Sequence, residues 1–121
     1  MVKPEITGQR DLSYNIWHRK LGNPFYMIDV DCVEWRAGRG VVALIEKALI
    51  TGKFTLQQII QYKRFEIKVI TEIAAKLNVP AFMVFHTENL DQFEVYQIKN
   101  EQAHFLGTYT EKGYSDFVKA L

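Results

Sequence analysis

The sequence predicts one α/β (α+β) domain in which a central mixed β-sheet is flanked by helices. Two apolar strand patterns surround a Gly-rich turn in residues 26–47, a long amphipathic helix pattern covers residues 55–77, and two short strand patterns follow. The order of elements is helix, hairpin, long helix, strand, strand, helix. With 121 residues, 48% of them hydrophobic, the chain has the size of a single domain spanning residues 1–121.

The N-terminal part contains one predicted helix. Residues 1–10 are expected to form an irregular lead-in, and Asp11 is a candidate N-cap for a helix over residues 12–21 that Gly22-Asn23-Pro24 ends. The charged side of this helix includes Arg19, either as a solvated side chain or as a phosphate contact. Three apolar side chains recur at helical spacing and are predicted to pack on the sheet: Tyr14, Trp17 and Leu21.

The hairpin carries carboxylates within apolar strands. The first strand is predicted over residues 25–35 and the second over residues 41–47. Asp29 and Asp31 share one face of the first strand, because side chains alternate between faces, and Glu46 lies near the end of the second. A buried carboxylate is costly unless a cation, a hydrogen bond or a proton compensates it. The sharpest interpretation is therefore a divalent-metal site.

Whether these acids meet depends on the turn between the strands. A two-residue turn at Ala37 and Gly38 puts Glu46 opposite Asp29, and a four-residue loop over residues 37–40 puts it opposite Asp31. A three-residue loop would put Glu46 on the other face of the sheet. Loop statistics favour the two registers in which the acids meet.

The second half of the chain adds the long helix and further strands. Thr55 and Gln58 predict a capping box at the start of the helix, which ends at Asn78 and Pro80. Residues 81–86 are predicted to form a buried strand, with residues 93–98 paired beside it. Residues 100–109 are weakly patterned, and Thr110 can cap a final helix. The expected core includes Ile28, Val30, Leu44, Ile45, Ile59, Ile70, Ile73, Phe82 and Val84.

Composition limits the class of protein. A formal net charge of +1 is neither the basic balance of an obligate nucleic-acid coat nor that of an acidic tail protein. The single cysteine, Cys32, cannot form an internal disulfide, and no N-terminal signal or long apolar run is visible. We therefore expect a cytoplasmic, soluble protein without a membrane partner.

One pattern resembles a known family. Asp31, followed fifteen residues later by Glu46 at the end of the apolar strand VVALIEK, resembles the metal-binding pattern of the PD-(D/E)XK nuclease superfamily. In that family an Asp early in one strand and an acid-x-Lys triplet on the next strand hold a divalent cation. Gln58 and Tyr62 are similar to the Gln-x-x-x-Tyr signature of its exonuclease-type branch. The resemblance covers about residues 11–98 and implies a restriction-endonuclease-like core.

The resemblance implies a Mg²⁺ or Mn²⁺ cofactor. Its metal ligands would be Asp31 and Glu46, and Asp29 would be a further ligand or would contact one of the ligands. Mg²⁺ prefers one or two carboxylates and keeps several waters. The bound ion would lower the pKa of an attacking water and neutralise charge on the scissile phosphodiester, while a lysine would stabilise the transition state.

The lysine departs from the family pattern. The position two residues after the acid is Ala48, whereas Lys47 directly follows Glu46 and would point away from the metal on a regular strand. A β-bulge at residues 46–48 could turn Lys47 inward, or Lys53 or a helix lysine such as Lys63 could replace it.

The resemblance leads to a metal-dependent nuclease that cleaves phosphodiester bonds of nucleic acid, with DNA as the expected substrate. Its catalytic residues would be Asp31, Glu46 and Lys47. The alternative is a catalytically degenerate nuclease-fold protein that acts as a nucleic-acid-binding or assembly module, and a small interaction domain with solvated acids is a third possibility. A homodimer is expected if both strands of a duplex are cut. The candidate nucleic-acid contacts are Gln58, Tyr62, Arg19 and Lys53.

Overall fold

A computed structural model describes residues 12–121 of the chain. The candidate cap Asp11 and the expected lead-in at residues 1–10 lie outside the described residues. No helix within residues 12–121 is long and apolar enough to cross a membrane. The elements in chain order are α1 (Ser13–Arg19), β1 (Cys32–Arg36), β2 (Gly40–Leu49), α2 (Leu56–Tyr62), α3 (Arg64–Leu77), β3 (Ala81–His86), β4 (Phe93–Lys99), β5 (Gln102–Tyr109) and α4 (Glu111–Lys119).

The strands form one mixed sheet in the order β1-β2-β3-β4-β5. β2 and β3 are parallel, and the other neighbouring pairs are antiparallel. Helices α2 and α3 form the crossover that a parallel pair requires. The predicted α+β domain with a mixed sheet flanked by helices is confirmed, as is the pairing of β4 beside β3.

Apolar clusters cover both faces of the sheet. On one face, Ile70 of α3 packs against Leu44 of β2 and Phe85 of β3. On the other, Phe117 of α4 packs on the cluster that contains Ile45. Because side chains alternate along β2, even-numbered residues from Leu44 to Ala48 face α2 and α3, and odd-numbered residues face α4.

The predicted core is found, with different degrees of burial. Five of its residues are buried and the remainder are partly buried. The buried residues are Leu44, Ile45, Ile70, Phe82 and Val84, and the partly buried residues are Ile28, Val30, Ile59 and Ile73.

The predicted helix over residues 55–77 is in fact two helices. They are separated at Lys63, whose backbone angles (φ −93°, ψ 19°) lie outside the α-helical range. The capping box of Thr55 and Gln58 is present, and Asn78 ends α3 in the left-handed conformation (φ 56°). The start and end of the pattern are therefore confirmed. The break was not predicted because neither Gly nor Pro marks it in the sequence.

One strand prediction is wrong in extent, and one strand was not predicted. Residues 25–31 have no regular structure, so Asp29 and Asp31 precede β1 instead of lying within it. The weakly patterned residues 100–109 contain β5. Both β1 and β5 are edge strands, which have one strand neighbour and a weaker apolar pattern than the central strands. The final helix is capped by Thr110 as predicted.

Helix α1 does not pack on the sheet through its apolar side chains. Tyr14 and Trp17 are more than half exposed, Leu21 is 45% exposed, and α1 has no buried residue. The rings of Tyr14 and Trp17 contact each other instead, with centroids 5.4 Å apart. The helical spacing of these residues therefore serves contacts within α1 itself.

Removal of the Ile70 side chain should destabilise the domain. Ile70 is 0% exposed between α3 and the sheet, so Ile70→Ala should lower the free energy of unfolding by roughly 2 to 5 kcal/mol. Ile16→Ala is the matched control, because Ile16 is 52% exposed on α1 and should change stability by less than about 0.5 kcal/mol. Urea denaturation measures both, and equal losses would contradict the described packing of α3.

Candidate metal and catalytic site

Glu46 is a buried carboxylate at the centre of the candidate site. Its side chain is 1% exposed, within a strand that is otherwise apolar from Val41 to Ile45. It lies beside Met83 of the parallel strand β3 and faces α2 and α3 by strand alternation. Burial of this kind requires compensation by charge or hydrogen bonding.

Lys63 provides the compensating charge. Its Nζ donates to Oε1 of Glu46 at 2.8 Å, and the Lys63 side chain is only 23% exposed. Ile59, Lys63, Ile67 and Ile70 follow one another at spacings of four, four and three residues, so they lie on one side of α2 and α3. The three isoleucines of this stripe pack in the core, and Lys63 lies between Ile59 and Ile67. A lysine on an apolar stripe, in a helix that follows a strand with an inward-facing acid, is the sequence signal for this pair.

Asp31 reaches Glu46 through an irregular register. Arg36 pairs with Gly40, so three residues form the turn, and this loop alone would separate the acids onto opposite faces. A β-bulge between Glu34 and Trp35 shifts the register, so that Cys32 pairs with Ile45 and Asp31 lies one step further on, opposite Glu46. The acids meet as expected, but through a loop and bulge that were not predicted together.

The Asp31 carboxylate also ends the β1–β2 ladder. Its Oδ2 accepts a hydrogen bond from the backbone N–H of Lys47 at 3.1 Å, where a continued β1 would otherwise pair. This bond fixes one carboxylate oxygen beside the buried acid. Asp31 therefore has a structural role in addition to any role in ligand binding.

The acid pair has perturbed proton affinity. The pKa of Glu46 is raised from 4.5 to about 7, mainly by burial and also by the hydrogen bond with Asp31, while the bond to Lys63 opposes the shift. Burial by itself would lower the pKa of Lys63, but the hydrogen bond and charge of Glu46, together with Asp31, raise it overall. Lys63 is thus a cation at neutral pH, while Glu46 can exchange a proton there.

The donor set fits a hard divalent cation. Oε2 of Glu46 is buried and accepts no hydrogen bond from a donor among the described residues, and the hydrogen bond between Glu46 and Asp31 requires that one of the two acids is protonated. One orphaned carboxylate oxygen beside a second carboxylate matches the oxygen ligands and the small number of protein carboxylates that Mg²⁺ prefers. Residues 12–121 contain no group of three or more His, Cys, Asp or Glu side chains arranged for a metal ion. Asp29 is exposed and precedes β1, and its role as a further ligand stays a prediction.

Lys47 lies on the opposite side of the sheet from Glu46. The parallel register of β2 with β3 runs without interruption from Leu44 to Leu49, so the bulge that could turn Lys47 inward is not present there. Its side chain is exposed and falls on the face of Ile45 and α4. The catalytic role of Lys47 stays a prediction, and Lys63 is the lysine whose nitrogen contacts Glu46.

Three of the four candidate nucleic-acid contacts line one groove beside this site. Lys53, Gln58 and Tyr62 border a cavity of about 650 Å³ between the end of β2 and α2. Gln58 is partly engaged, because its Oε1 accepts from the backbone N–H of Thr55 at 2.8 Å in the capping box. Arg19 lies elsewhere, in a cavity of about 370 Å³ formed by α1 and residues 22–29.

Sequence reasoning missed two lining residues of the groove, Leu49 and Phe54. Both are large apolar side chains with substantial exposure, at 39% and 61%. The signal that could have found them is their position at the end of a buried strand and in the connection that follows it.

Comparisons with protein-family models, curated proteins and solved structures find no match to this chain.

The buried acid should make stability depend on pH. The folded state binds the Glu46 proton more tightly than the unfolded chain, so stability should fall as pH rises from 4.5 to about 7. Because a change of one in pKa corresponds to about 1.4 kcal/mol, the loss should be on the order of 3 kcal/mol. Glu46→Gln should abolish it, whereas Glu72→Gln, which removes an exposed carboxylate of α3, is the control. Urea denaturation in EDTA at several pH values measures this, and equal pH slopes in wild type and Glu46→Gln would contradict it.

Proposed function

We propose that this protein is a metal-dependent nuclease whose catalytic residues are Asp31, Glu46 and Lys63. The observation that supports it is the buried Glu46 carboxylate, with Lys63 Nζ on one oxygen, no donor from the described residues on the other, and Asp31 beside it. Two carboxylates and an ammonium at one point are the set needed to hold a cation and stabilise a phosphodiester transition state.

We infer a restriction-endonuclease-like fold for the same region. In support, Asp31 directly precedes β1, Glu46 lies on the antiparallel neighbour β2, and a helical crossover leads to the parallel strand β3. This order agrees with the pattern that Asp31 and Glu46 resemble in the sequence. Ala48 occupies the position where the family pattern has its lysine. In this proposal Lys63 takes the place of that lysine and contacts Glu46 from the side of α2 and α3 instead of from β2.

In the proposed mechanism, Asp31 and Glu46 would hold Mg²⁺ or Mn²⁺, which when bound supplies Lewis acidity and a lowered pKa for an attacking water. Glu46 must be ionised for this role, and its proton is lost near neutral pH. The Lys63 ammonium remains fixed beside Glu46, where it donates hydrogen bonds to an attacking water or to a non-bridging phosphoryl oxygen. The Asp31 oxygen bonded to the Lys47 backbone stays oriented by that bond.

The proposed partner is nucleic acid, with DNA as the first substrate to test. A catalytically degenerate module that binds nucleic acid or a second copy of the chain is the alternative. The rate of cleavage distinguishes the nuclease from the degenerate module. A catalytic Lys63 would affect kcat selectively, whereas a lysine that merely attracts phosphate changes the affinity and its salt dependence.

Metal binding should depend on both acids. Titration calorimetry with Mn²⁺ should detect binding to the wild type, weakened on the order of tenfold or more in Asp31→Asn and in Glu46→Gln. Asp29→Asn tests the third predicted ligand, and a loss as large as that of Asp31→Asn would bring Asp29 into the site. Unchanged affinity in both Asp31→Asn and Glu46→Gln would refute the metal site.

Turnover should depend on Lys63 more than on Lys47. With Mg²⁺ or Mn²⁺ and a panel of DNA and RNA substrates, Lys63→Ala should lower kcat by about a hundredfold, because it removes a donor to developing charge. Lys63→Arg should retain part of the activity. Lys47→Ala is the matched control, since it removes an exposed lysine from the other face of β2. Circular dichroism at the assay temperature verifies that each variant is folded, since Lys63→Ala leaves a buried carboxylate without its partner.

The outcomes of this assay separate the functions. A larger loss of kcat in Lys47→Ala than in Lys63→Ala would assign the catalytic role to Lys47. Absence of metal-dependent cleavage, with nucleic acid still bound, would decide for the degenerate module. Neither cleavage nor binding would leave only an assembly role.

A further inference from the structure

A groove lies between the end of β2 and α2, close in sequence to Glu46 and Lys63. Its floor and walls come from β2, the following connection and α2, and it encloses about 650 Å³. Ala48 lies two residues past Glu46 on the same face of β2, and Tyr62 directly precedes Lys63. A lining residue of the groove therefore lies close in sequence to Glu46 on the strand side, and another lies next to Lys63 on the helix side. The residues that line it are Ala48, Leu49, Thr51, Lys53, Phe54, Gln58, Ile59 and Tyr62.

Two aromatic side chains in this groove are strongly exposed. Phe54 is 61% exposed and Tyr62 is 81% exposed. Several aromatic side chains of residues 12–121 pair with one another, such as Phe93 with Tyr114 at 4.3 Å. Among the described residues, no ring contact engages Phe54 or Tyr62, which share this property with the exposed rings of Phe25, Tyr26 and Trp35 but are the ones that line the groove. Exposed apolar surface of this kind marks an interaction site.

We propose that this groove holds an unpaired nucleobase of the nucleic acid, stacked on Phe54 and Tyr62, so that the substrate is single-stranded at the point of cleavage. The inference rests on the proposed nuclease function, which it makes more specific. It identifies Phe54 and Tyr62 as positioning residues that determine specificity for unpaired strands, distinct from the catalytic residues Asp31, Glu46 and Lys63.

The chemistry of the lining favours a base on a phosphate backbone. Lys53 is the charged residue of the lining and no carboxylate is among its residues, so the groove is complementary to an anionic chain. The Gln58 carbonyl oxygen is engaged in the capping box, which leaves its amide N–H groups as donors towards a base edge. Aromatic rings stack on any base, because every base has a π-face.

The position of the groove near the candidate site predicts selectivity for unpaired strands. In the proposed complex, one nucleic-acid strand would place a phosphate at Asp31 and Glu46. The same strand would turn a neighbouring base towards the protein and into the groove. A base within a duplex is stacked and paired, and its removal costs a few kcal/mol. A single strand or an unpaired end avoids this cost, so it should bind the groove in preference to a blunt duplex.

The test is binding in EDTA, which requires neither metal nor cleavage. Fluorescence anisotropy would measure the affinity of the wild type, Phe54→Ala, Tyr62→Ala and the double variant for oligothymidylate, oligouridylate, an abasic strand and a blunt DNA duplex. Each ring removed should weaken binding of the base-containing strands by about tenfold, with little change for the abasic strand or the duplex. Tyr62→Phe should retain wild-type affinity, because it keeps the ring.

Phe65→Ala is the matched control. Phe65 is 57% exposed, similar to Phe54, but it lies on α3 outside the groove. Its removal should leave oligonucleotide affinity unchanged. The oligothymidylate and oligouridylate arms show whether the strand is DNA or RNA.

Each other result would overturn the groove assignment. Equal losses for single strand and duplex, unchanged affinity in the double variant, or no nucleic-acid binding would do so. Dissociation of a dimer on sedimentation of the double variant, with oligonucleotide affinity unchanged, would assign the groove to a second copy of the chain. Metal-dependent cleavage that persists after such a result would keep the nuclease and reject only the groove. Base-dependent binding without any cleavage would keep the groove and reject the nuclease.

Discussion

The burial of one carboxylate, Glu46, is the constraint on which the candidate site depends. Removing a charged group from water costs several kcal/mol. Attraction to a group of opposite charge offsets this cost only when the geometry is good and additional hydrogen bonds form. Here Lys63 contributes a single 2.8 Å contact, and one carboxylate oxygen accepts no hydrogen bond from a donor within the described residues. Replacement of such a pair by apolar residues is often neutral or stabilising. Stability alone therefore does not account for the pair, which supports the proposed catalytic role.

Two backbone irregularities bring the partners of Glu46 to it from opposite sides. On the strand side, the bulge between Glu34 and Trp35 turns Asp31 onto the face of Glu46 despite a three-residue turn. On the helix side, the interruption between α2 and α3 falls at Lys63 itself. Bulges and helix irregularities of this kind often occur beside functional sites. Both departures from ideal geometry converge on the same carboxylate.

Local chemistry made much of the fold predictable. The capping box at Thr55, the stop at Asn78 and the run of apolar residues in β3 depend on neighbours in sequence, and all three were predicted with the correct chemistry. The meeting of Asp31 with Glu46 was also expected. The bulge that achieves it depends on tertiary packing across β1 and β2, so turn length alone could not give the register. β5 and the exposure of α1 were missed because their patterns reflect an edge strand and contacts within a helix.

The choice of lysine follows from the alternation of the strand. Lys47 is adjacent to Glu46 in sequence, yet adjacent residues of a strand face opposite sides, and the uninterrupted pairing with β3 enforces this. Lys63 is distant in sequence but occupies an inward position on the helical stripe that crosses the same face. A helix supplies a cation to this face without altering the strand. The lysine that serves a strand acid is therefore identified by which face of the sheet it reaches, and proximity in sequence is a poor guide.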